Sequence, residues 1–506
     1  MGRALRVLYV SSEVVPFSKT GGLADVAGAL PAALAQAGCD VRVLSPFYGR
    51  LLNGDFSTVP AAIPPLSVTI QGQPQPFSLR LLADSPNGAV PQYFVEHAKY
   101  YARPALYVDP KTDRDYVDND ERFVLLARGL LEWLRRDAWH PDIIHLNDWQ
   151  SALVAAYLSL LYRDDPALVH TRTVLSVHNL AYQGLFPAER FPVLGLSPDL
   201  FYPTSPFEFW GKVAFLKAGL AYADRLNTVS PTYAREIQEA EEYGCGLEDL
   251  LRNRSGDLTG ILNGIDEDVW NPATDPLIAR TYAVNDLSGK AENKAQLCRR
   301  CGLAPARWGR PLIGMISRLA EQKGFDLLAE AAARLFALDV NLVLLGTGDP
   351  EFHKLFEKWN RRLAGQFRAY LTFDNELAHQ IEAGADMFLM PSRYEPCGLN
   401  QMYSLRYGTV PVVRATGGLA DTVFDADQHP DVGNGFVFAE YGAKAMLRAV
   451  RRAVACFENP ARWQTLIRRG MQSDFSWGAS ARRYVEWYEV ALAQGGRTVN
   501  RSVASS

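Results

Sequence analysis

The first residues of this chain that could do chemistry are a lysine and two glycines in the segment Lys19-Thr20-Gly21-Gly22-Leu23. A lysine beside a flexible glycine pair can bring one positive charge and two backbone amides to a phosphate. The segment is not a P-loop, because the spacing Gly-x-x-x-x-Gly-Lys-Ser/Thr is missing. We therefore predict an anion site at Lys19, Gly21 and Gly22, with an ordinary helix start as the alternative.

The second cluster contains two cations, Arg318 and Lys323, within residues 317–324. Both follow an apolar run that ends at Ile316 and precede an apolar helical stretch. Open α/β sheets bind ligands at such strand ends, and two cations placed there suit a diphosphate. The alternative is a pair of surface charges, which is the commoner fate of a single Arg or Lys.

A carboxylate and a histidine follow two further apolar runs. Glu395 precedes Pro396 and a helical stretch, so we expect its carboxylate to lie near the positive potential of a helix N-terminus. His178 directly follows the run 173–177 and has the corresponding place in the first half of the chain. Each residue has a purely structural alternative, a helix cap for Glu395 and a packed ring for His178.

The elements that must position these residues alternate between strands and helices. Short runs rich in Val, Ile and Leu are separated by longer segments of helical period, which predicts an α/β fold with parallel strands covered on both faces. Residues 55–91 are rich in Pro, Ser and Gln, so we expect an antiparallel excursion or long loops there. The strands predicted in the first half are near 5–10, 41–44, 143–146, 173–177 and 226–229, with helices such as 23–35 and 152–161 between them.

The alternation restarts after a Trp-, Asn- and Pro-rich crossing segment, 268–275. The sequence Thr-Gly-Gly-Leu-Ala-Asp of residues 20–25 recurs at 416–421, which supports a duplicated architecture. We predict two doubly wound, Rossmann-like domains facing a central cleft. The predicted bounds are 1–264 and 265–477, then 478–506 for a last helix near 479–492 and a flexible tail, and the strands predicted in the second half are near 312–316, 341–345, 369–372, 387–390 and 410–413.

Composition excludes several classes of function. The 506 residues include 52 Lys and Arg against 56 Asp and Glu, a net charge of −4, which argues against a nucleic-acid coat or a polybasic membrane binder. No apolar run approaches the roughly 18 residues of a membrane span. The six cysteines are scattered, and Cys298 and Cys301 have no second ligand pair at zinc-site spacing. We expect a cytoplasmic protein with no nucleic-acid partner, no membrane partner and no metal.

Together these segments resemble the family of bacterial glycogen synthases and plant starch synthases, retaining glucosyltransferases with the two-domain GT-B fold. The resemblance implies that ADP-glucose is the donor and that an α-1,4-glucan such as glycogen accepts glucose at the 4-hydroxyl of its non-reducing end. ADP is then released and the configuration is retained. The segments that carry the likeness span nearly the whole chain, namely 19–23, 145–149, 176–184, 229–233, 260–266, 317–324, 395–399 and 416–421.

The resemblance also implies roles for individual residues. Lys19, Arg318 and Lys323 would surround the diphosphate as catalytic cations. Glu395 and His178 would also be catalytic. Glu395 would lie beside the donor glucose, where it stabilises transition-state charge and positions the substrate, and His178 would lie near the hydroxymethyl side of that glucose. The last helix would pack on the first domain. Because cations and glycine amides can neutralise a departing diphosphate, we expect no metal or other cofactor. The further substrate-binding residues implied are Gly21, Gly22, Asp25, Asp148, Asn263, Cys397, Gly398, Leu399, Thr416, Gly417 and Gly418.

Two positions depart from the wider pattern. Asn147 stands where many bacterial members have His, which leaves its role open. Tyr403 stands where related GT-B families keep a second Glu, which favours a glycogen synthase over its relatives. The chemistry of retention also stays open between a covalent glycosyl-enzyme and same-face attack assisted by the departing phosphate.

Three rival functions remain. One is a transferase of the same fold that uses UDP-glucose or another acceptor, and another is a catalytically silent glucan-binding scaffold. A scaffold would have no need to keep the side chains of Lys19, His178, Arg318, Lys323 and Glu395. A dinucleotide oxidoreductase is disfavoured, because Gly346-Thr347-Gly348 has only the first two glycines of the nucleotide-binding fingerprint.

Overall fold

The computed structural model describes residues 3–83 and 90–493, and its chain divides into two compact units. The first comprises Met1–Val229, Ala234–Gly264 and Trp477–Ser506, and the second comprises Ser230–Tyr233 and Ile265–Ser476. These units differ from the predicted domains in two places, because residues 230–233 belong to the second unit and Trp477 to the first. Residues 494–506, predicted as a tail, lie outside the described residues.

The main sheet of the first unit has the strand order β15-β14-β10-β9-β1-β2-β6-β5-β3, with β4 beside β5. The strands from β15 to β6 are parallel, whereas β3 and β4 pair antiparallel with β5, which is itself antiparallel to β6. Strands β3, β4 and β5 fall within the segment 55–91, where the sequence predicts an antiparallel excursion or long loops. The strands of this unit are β1 Arg6–Val10, β2 Asp40–Pro46, β3 Thr58–Pro60, β4 Leu66–Ile70, β5 Gln73–Leu82, β6 Gln92–Glu96, β7 Val108–Asp109, β8 Arg114–Asp115, β9 Ile143–Asn147, β10 Arg172–Val177, β11 Leu185–Pro187, β12 Glu208–Phe209, β13 Lys212–Ala214, β14 Arg225–Thr228 and β15 Leu258–Gly260.

The second unit contains one six-stranded sheet in the order β18-β17-β16-β19-β20-β21, and its strands are all parallel. Counted along the chain this order is 3-2-1-4-5-6, which is that of a doubly wound nucleotide-binding fold. The strands are β16 Leu312–Ile316, β17 Asn341–Leu345, β18 Phe367–Tyr370, β19 Met387–Met390, β20 Val410–Arg414 and β21 Phe436–Phe438.

Helices fill the connections between the strands, as a parallel sheet requires. No helix among the described residues is long and apolar enough to span a bilayer. The α-helices are α1 Gly22–Gln36, α2 Gly49–Leu52, α3 Ala98–Tyr101, α4 Asn119–Leu134, α5 Asp148–Leu161, α6 Phe215–Tyr222, α7 Pro231–Glu239, α8 Glu241–Gly244, α9 Glu248–Asn253, α10 Ser288–Arg300, α11 Phe325–Phe336, α12 Pro350–Arg362, α13 Asn375–Gly384, α14 Asn400–Arg406, α15 Gly417–Thr422, α16 Ala443–Phe457, α17 Pro460–Met471 and α18 Trp477–Ala493.

Alternation along the strands explains why each sheet is covered on both faces. In β17, Leu342 and Leu344 enter one hydrophobic core of the second unit, whereas Val343 and Leu345 enter another. Successive side chains of a strand point to opposite faces, so a continuous apolar run needs helices on both. The predicted α/β class, with parallel strands covered on both faces, is confirmed.

The last helix, α18, belongs to the first unit. Its buried Tyr484 and Tyr488 share a core with Val7 and Tyr9 of β1 and with Leu30 of α1. A chain segment that follows the whole second unit in sequence therefore completes the core of the first unit.

Candidate active site

Strand order brings two of the predicted clusters together in the second unit. The order reverses between β16 and β19, and doubly wound sheets bind ligands at the carboxyl ends of strands beside such a reversal. Residues 317–324 follow β16 and residues 391–399 follow β19. The two cations and the predicted carboxylate therefore converge on one sheet edge.

Lys323 and Glu395 form an ion pair across this reversal. The ammonium nitrogen Nζ lies 2.6 Å from Oε2 of Glu395, and the hydroxyl of Ser392 donates to the same oxygen at 3.0 Å. The Glu395 side chain is 8% exposed and the Lys323 side chain 20%. Within the described residues Oε1 of Glu395 accepts no hydrogen bond, so the carboxylate is fixed through one oxygen while the other remains available to a ligand.

The helix-cap alternative for Glu395 is wrong. Helix α14 begins at Asn400, with Leu399 at its N-cap. The Glu395 side chain instead contacts Lys323 and Ser392.

Gly324 allows the segment that carries Lys323 to approach the end of β19. Its φ is +76°, and a Cβ at this position would lie 2.1 Å from the carbonyl oxygen of Pro391. Any side chain would force the two segments apart. The glycine after Lys323 is therefore a packing requirement of the ion pair.

Arg318 lies in the same segment and is exposed. Its Nη2 reaches Oε1 of Gln322 at 3.5 Å, which is at the limit of a hydrogen bond. A guanidinium carries five N–H donors in a planar fork. Most of its donors are therefore available to an anion.

The glycines Gly346 and Gly348 have a packing role beside Arg318. A Cβ on Gly346 would lie 1.9 Å from the carbonyl oxygen of Ser317, and one on Gly348 would lie 2.3 Å from that of Leu319. These glycines let the loop after β17 lie directly against the loop after β16. Close backbone packing accounts for both of them without a dinucleotide.

The second copy of the repeated glycine motif also serves packing. Gly417 has φ +44°, and its Cβ would lie 1.9 Å from the carbonyl oxygen of Glu395. The Gly418 amide donates to the carbonyl oxygens of Glu395 and Pro396 at 3.1 and 3.2 Å. The backbone that carries Glu395 already occupies this amide, and its contact with a diphosphate stays a prediction.

The remaining predicted residues of the second unit shape the backbone around Glu395. Cys397 and Thr416 are buried, Gly398 has φ +69°, and Leu399 precedes α14. The amide nitrogen Nε2 of Gln401 donates to the carbonyl oxygens of Cys397 and Gly398 at 3.1 and 3.0 Å. Gln401 therefore holds the loop, and sequence reasoning missed it, because a glutamine inside a helix gives no local signal of such a role.

The first unit repeats the same topological arrangement. Its parallel strands reverse order between β1 and β9. Lys19, Gly21 and Asp25 lie in the segment after β1, Asp148 directly follows β9, and His178 directly follows β10. The first-unit residues predicted from sequence thus follow neighbouring strand ends.

Lys19 and Asp25 are paired with each other. The Nζ to Oδ1 distance is 2.6 Å, and the side chains are 54% and 36% exposed. An exposed ion pair contributes little to stability. A ligand anion can therefore compete for Lys19 at low free-energy cost.

The Glu13 carboxylate accepts hydrogen bonds at one of the two glycine amides predicted to bind an anion, that of Gly21. Its carboxylate accepts from the Thr20 amide, from the Thr20 hydroxyl at 2.7 Å, from the Gly21 amide at 3.2 Å and from the Tyr107 hydroxyl at 3.0 Å. Glu13 is only 4% exposed. The Gly21 amide therefore already has a partner within the protein, and its contact with substrate stays a prediction. Gly22 begins α1, and a Cβ at this position would meet no atom within 4 Å. Glu13 was missed, although its position just after β1 was a usable signal.

Asp148 and His178 are in direct contact. The backbone N–H of His178 donates to Oδ1 of Asp148 at 2.7 Å. Burial raises the pKa of Asp148 to about 7, and the negative charge of Glu13 acts in the same direction. Burial lowers the pKa of His178 to about 4. The imidazole is therefore neutral at physiological pH.

Asn263 follows β15 and is 6% exposed. Its Oδ1 is buried and has no hydrogen-bond partner in the part of the chain that the structure describes. Buried polar atoms are nearly always paired, so an unpaired one needs an explanation. A ligand hydroxyl or amine is a suitable partner for this oxygen.

Comparison with known proteins first establishes the class. The family model for the starch synthase catalytic domain matches residues 6–253, and the model for group 1 glycosyl transferases matches residues 305–469. A solved sucrose-phosphate synthase from Thermosynechococcus elongatus shares the fold at TM-score 0.57 and 20% identity, covering 97% of this chain and 99% of that one. The fold and both models define a glycosyltransferase of the GT-B class.

Closer relatives define the family. The chain is 47% identical to the glycogen synthase of Koribacter versatilis over 96% of its own length and 98% of the relative. It is also 47% identical to that of Syntrophotalea carbinolica, over 96% and 99%. The catalytic domain of starch synthase IV from Arabidopsis thaliana, solved with ADP and acarbose, matches at TM-score 0.85 and 34% identity over 97% of this chain and all of that one. The chain belongs to the glycogen synthase and starch synthase family, and its activity is glucosyl transfer from a nucleotide sugar to a glucan.

Proposed function

We propose that this enzyme transfers glucose from ADP-glucose to the 4-hydroxyl at the non-reducing end of an α-1,4-glucan, with retention of configuration and release of ADP. The observation that carries the proposal is the Lys323–Glu395 pair beside Arg318 at the strand-order reversal of the second unit. The starch synthase IV domain bound to ADP and acarbose supports the choice of nucleotide and of glucan chemistry. The C1–phosphate oxygen bond breaks and the C1–O4 bond forms.

The cations of the second unit suit a diphosphate leaving group. The Lys323 ammonium has three N–H donors, and among the described residues it gives one to Glu395, so two are left for a ligand. Arg318 adds a guanidinium fork that matches phosphate geometry. Preorganised positive charge at a departing oxygen lowers the barrier, because it needs no reorganisation as negative charge develops. We propose that these residues meet the electrostatic demand of the leaving group and that the reaction needs no added metal ion.

Glu395 serves the sugar in this proposal. Its Oε2 is held by Lys323 and Ser392, so Oε1 can accept from a glucose hydroxyl while the carboxylate charge stabilises positive charge on the ring. Either chemical route to retention is compatible with this role. In the same-face route, the proton of the attacking hydroxyl passes to the departing phosphate oxygen.

We also propose substrate contacts for polar groups of the first unit. We assign Lys19 to the diphosphate, Asp25 and Asp148 to the sugar and acceptor, and His178 to the hydroxymethyl side of the donor glucose. The exposed Lys19–Asp25 pair and the neutral imidazole of His178 suit such contacts. We do not assign the backbone amides of Gly21 and Gly418 to the diphosphate, because both are already hydrogen-bonded within the protein.

The test is incorporation of labelled glucose into glycogen from ADP-glucose and, in parallel, from UDP-glucose, with EDTA present. We expect incorporation from ADP-glucose despite the chelator. Incorporation from UDP-glucose alone would overturn the donor assignment, and loss of activity on chelation, restored by a divalent cation, would overturn metal independence. No incorporation from either donor would favour a silent glucan-binding scaffold or a different acceptor.

A further inference from the structure

Asn147, whose role the sequence left open, is the last residue of β9 and is fully buried. Its side-chain nitrogen Nδ2 donates to the carbonyl oxygen of Val10 at 2.9 Å. A carbonyl oxygen can only accept, so this contact fixes which end of the amide is nitrogen. Oδ1 must therefore point to the opposite side.

Oδ1 of Asn147 lies 3.0 Å from Nε2 of His178 and also accepts from the hydroxyl of Tyr9 at 3.0 Å. An amide oxygen carries no hydrogen, so Nε2 of His178 must be the donor. Neutral imidazole has a single N–H, and the ring is neutral because burial lowers the pKa of His178 to about 4. Nδ1 then carries the lone pair.

The backbone of His178 is fixed by the residue next to Asn147. Asp148 accepts from the His178 N–H, and its own φ of +52° turns the chain sharply at the end of β9. The Ser151 hydroxyl closes this turn. It accepts from the backbone N–H of Asn147 at 2.7 Å and donates to the backbone carbonyl oxygen of Asn147 at 2.8 Å. Two consecutive residues thus hold one histidine, one by its ring and the other by its main chain.

We propose that Asn147 is a positioning residue that holds His178 in its Nε2–H tautomer, so that Nδ1 accepts a hydrogen bond from a hydroxyl of the sugar substrate. The tautomer follows from the protein alone. The identity of the hydroxyl donor rests on the proposed function. Failure of one part can therefore be separated from failure of the other.

The direct test is nitrogen-15 NMR of the full-length protein labelled at histidine, with His178 assigned by its loss in His178→Gln. In the wild type we expect the shift pattern of an Nε2–H ring. Asn147→Leu removes the acceptor at similar volume, so the ring should change to a mixture of tautomers or to the Nδ1–H form. An Nδ1–H ring in the wild type, or an unchanged Nε2–H ring in Asn147→Leu, would overturn the proposal.

Asn227→Leu is the matched control. Asn227 is also a buried amide at a neighbouring strand end, but its Nδ2 donates to Ser176 and Tyr484 instead of contacting His178. The Nε2–H form should persist in this variant. Its loss there as well would show that the tautomer responds to general disturbance of the sheet edge, and would overturn the assignment to Asn147.

Asn147→Asp keeps the proposal testable if the leucine variant does not fold. A carboxylate oxygen still accepts from Nε2–H, but its charge favours the imidazolium. We expect the Nε2–H tautomer to persist and the pKa of His178 to rise. Asp148, His145 and Tyr9 are further titratable groups beside position 147 or His178. An unchanged pKa in this variant would show that position 147 does not contact the ring, and would overturn the proposal.

Kinetics separate positioning from a purely structural role. Loss of one oriented hydrogen bond to substrate should lower kcat/KM for the donor by about tenfold in Asn147→Leu. KM for the glucan should change by less than about twofold, because the affected contact is with the donor. If kcat/KM fell equally for the donor and for the glucan, the variant would be damaged in general and the proposed contact would be overturned. If no transferase activity were found, the NMR result would still decide the tautomer.

Discussion

Glu395→Gln removes one charge from the centre of the proposed site and preserves the shape of the side chain. In the wild type, Oε2 accepts from Lys323 at 2.6 Å and from Ser392 at 3.0 Å. The amide oxygen can still accept both bonds, because a carbonyl oxygen has two lone pairs, but the neutral amide cannot balance the ammonium charge. The change therefore weakens the ion pair and removes the negative charge proposed to face the donor sugar.

The expected losses differ in size for stability and for turnover. A hydrogen bond to a charged group contributes about 1.5–3 kcal/mol, so we expect the second unit to lose about 2 kcal/mol. For a unit of about 200 residues this lowers Tm by about 4–8 °C. Turnover should fall by about 10²–10³-fold, the usual effect of removing one preorganised electrostatic contact. The enzyme should therefore stay folded at assay temperature and be severely slowed.

The assay combines glucose incorporation with a double-mutant cycle on stability. Glu395→Gln, Lys323→Met and the double variant are compared by thermal unfolding. We expect the double variant to be more stable than the sum of the single effects, by about 1–3 kcal/mol, because Lys323→Met alone leaves a buried carboxylate unpaired. Turnover of Glu395→Gln within tenfold of wild type would refute the catalytic role. Additivity within about 0.5 kcal/mol would refute the energetic coupling of the pair.

Three further predictions use other features of the two units. Arg318→Ala should cost about 10²-fold in turnover. Its Tm should be unchanged, because Arg318 is exposed. The control is Lys358→Ala, also exposed and on α12, which should leave turnover unchanged, and equal turnover in both variants would remove Arg318 from the site. Gly417→Ala should lower Tm by several degrees because of its φ of +44° and a clash at 1.9 Å, whereas Gly21→Ala, with open space around it, should not, and equal Tm values would contradict the packing role. The pKa of Asp148 is about 7 in the folded state and about 3.9 in the unfolded state. Between these values the folded state binds one more proton, so this group makes the free energy of unfolding fall as pH rises from about 4 to 7. The Tm of Asp148→Asn relative to wild type should therefore rise over that pH range, and a constant difference would contradict the raised pKa.

The strands of the second unit show which features of a sequence locate an element. β16, β17 and β19 lie where continuous apolar runs place them. β18 begins two residues earlier than predicted, at Phe367, because the exposed Arg368 interrupts the apolar run without interrupting the strand. Helix α5 begins at Asp148, four residues before the predicted start, because Trp149 is the single apolar residue among its first four and no apolar period is visible there. Both differences concern residues whose side chains do not report the conformation of their backbone.

The two copies of the repeated Thr-Gly-Gly-Leu-Ala-Asp motif have different surroundings in the structure. Gly21 and Gly417 occupy equivalent positions of one repeated hexapeptide, yet Gly21 adjoins open space and Gly417 packs against the backbone of Glu395. The first motif also meets a buried carboxylate, Glu13, from a different part of the chain. Local sequence reports that glycine is required at such a position but not which neighbour requires it.

The sequence by itself determined the family, the doubly wound architecture and the residue types of the reaction, because apolar periodicity and ordered motifs are local properties of the chain. Only the tertiary structure decided which groups meet. It paired Lys323 with Glu395, 72 residues apart in sequence, and set Asn147 against the ring of His178. These contacts depend on strand order and on the direction of each side chain at a strand end, which follow from packing of the whole sheet and are not encoded in any one segment.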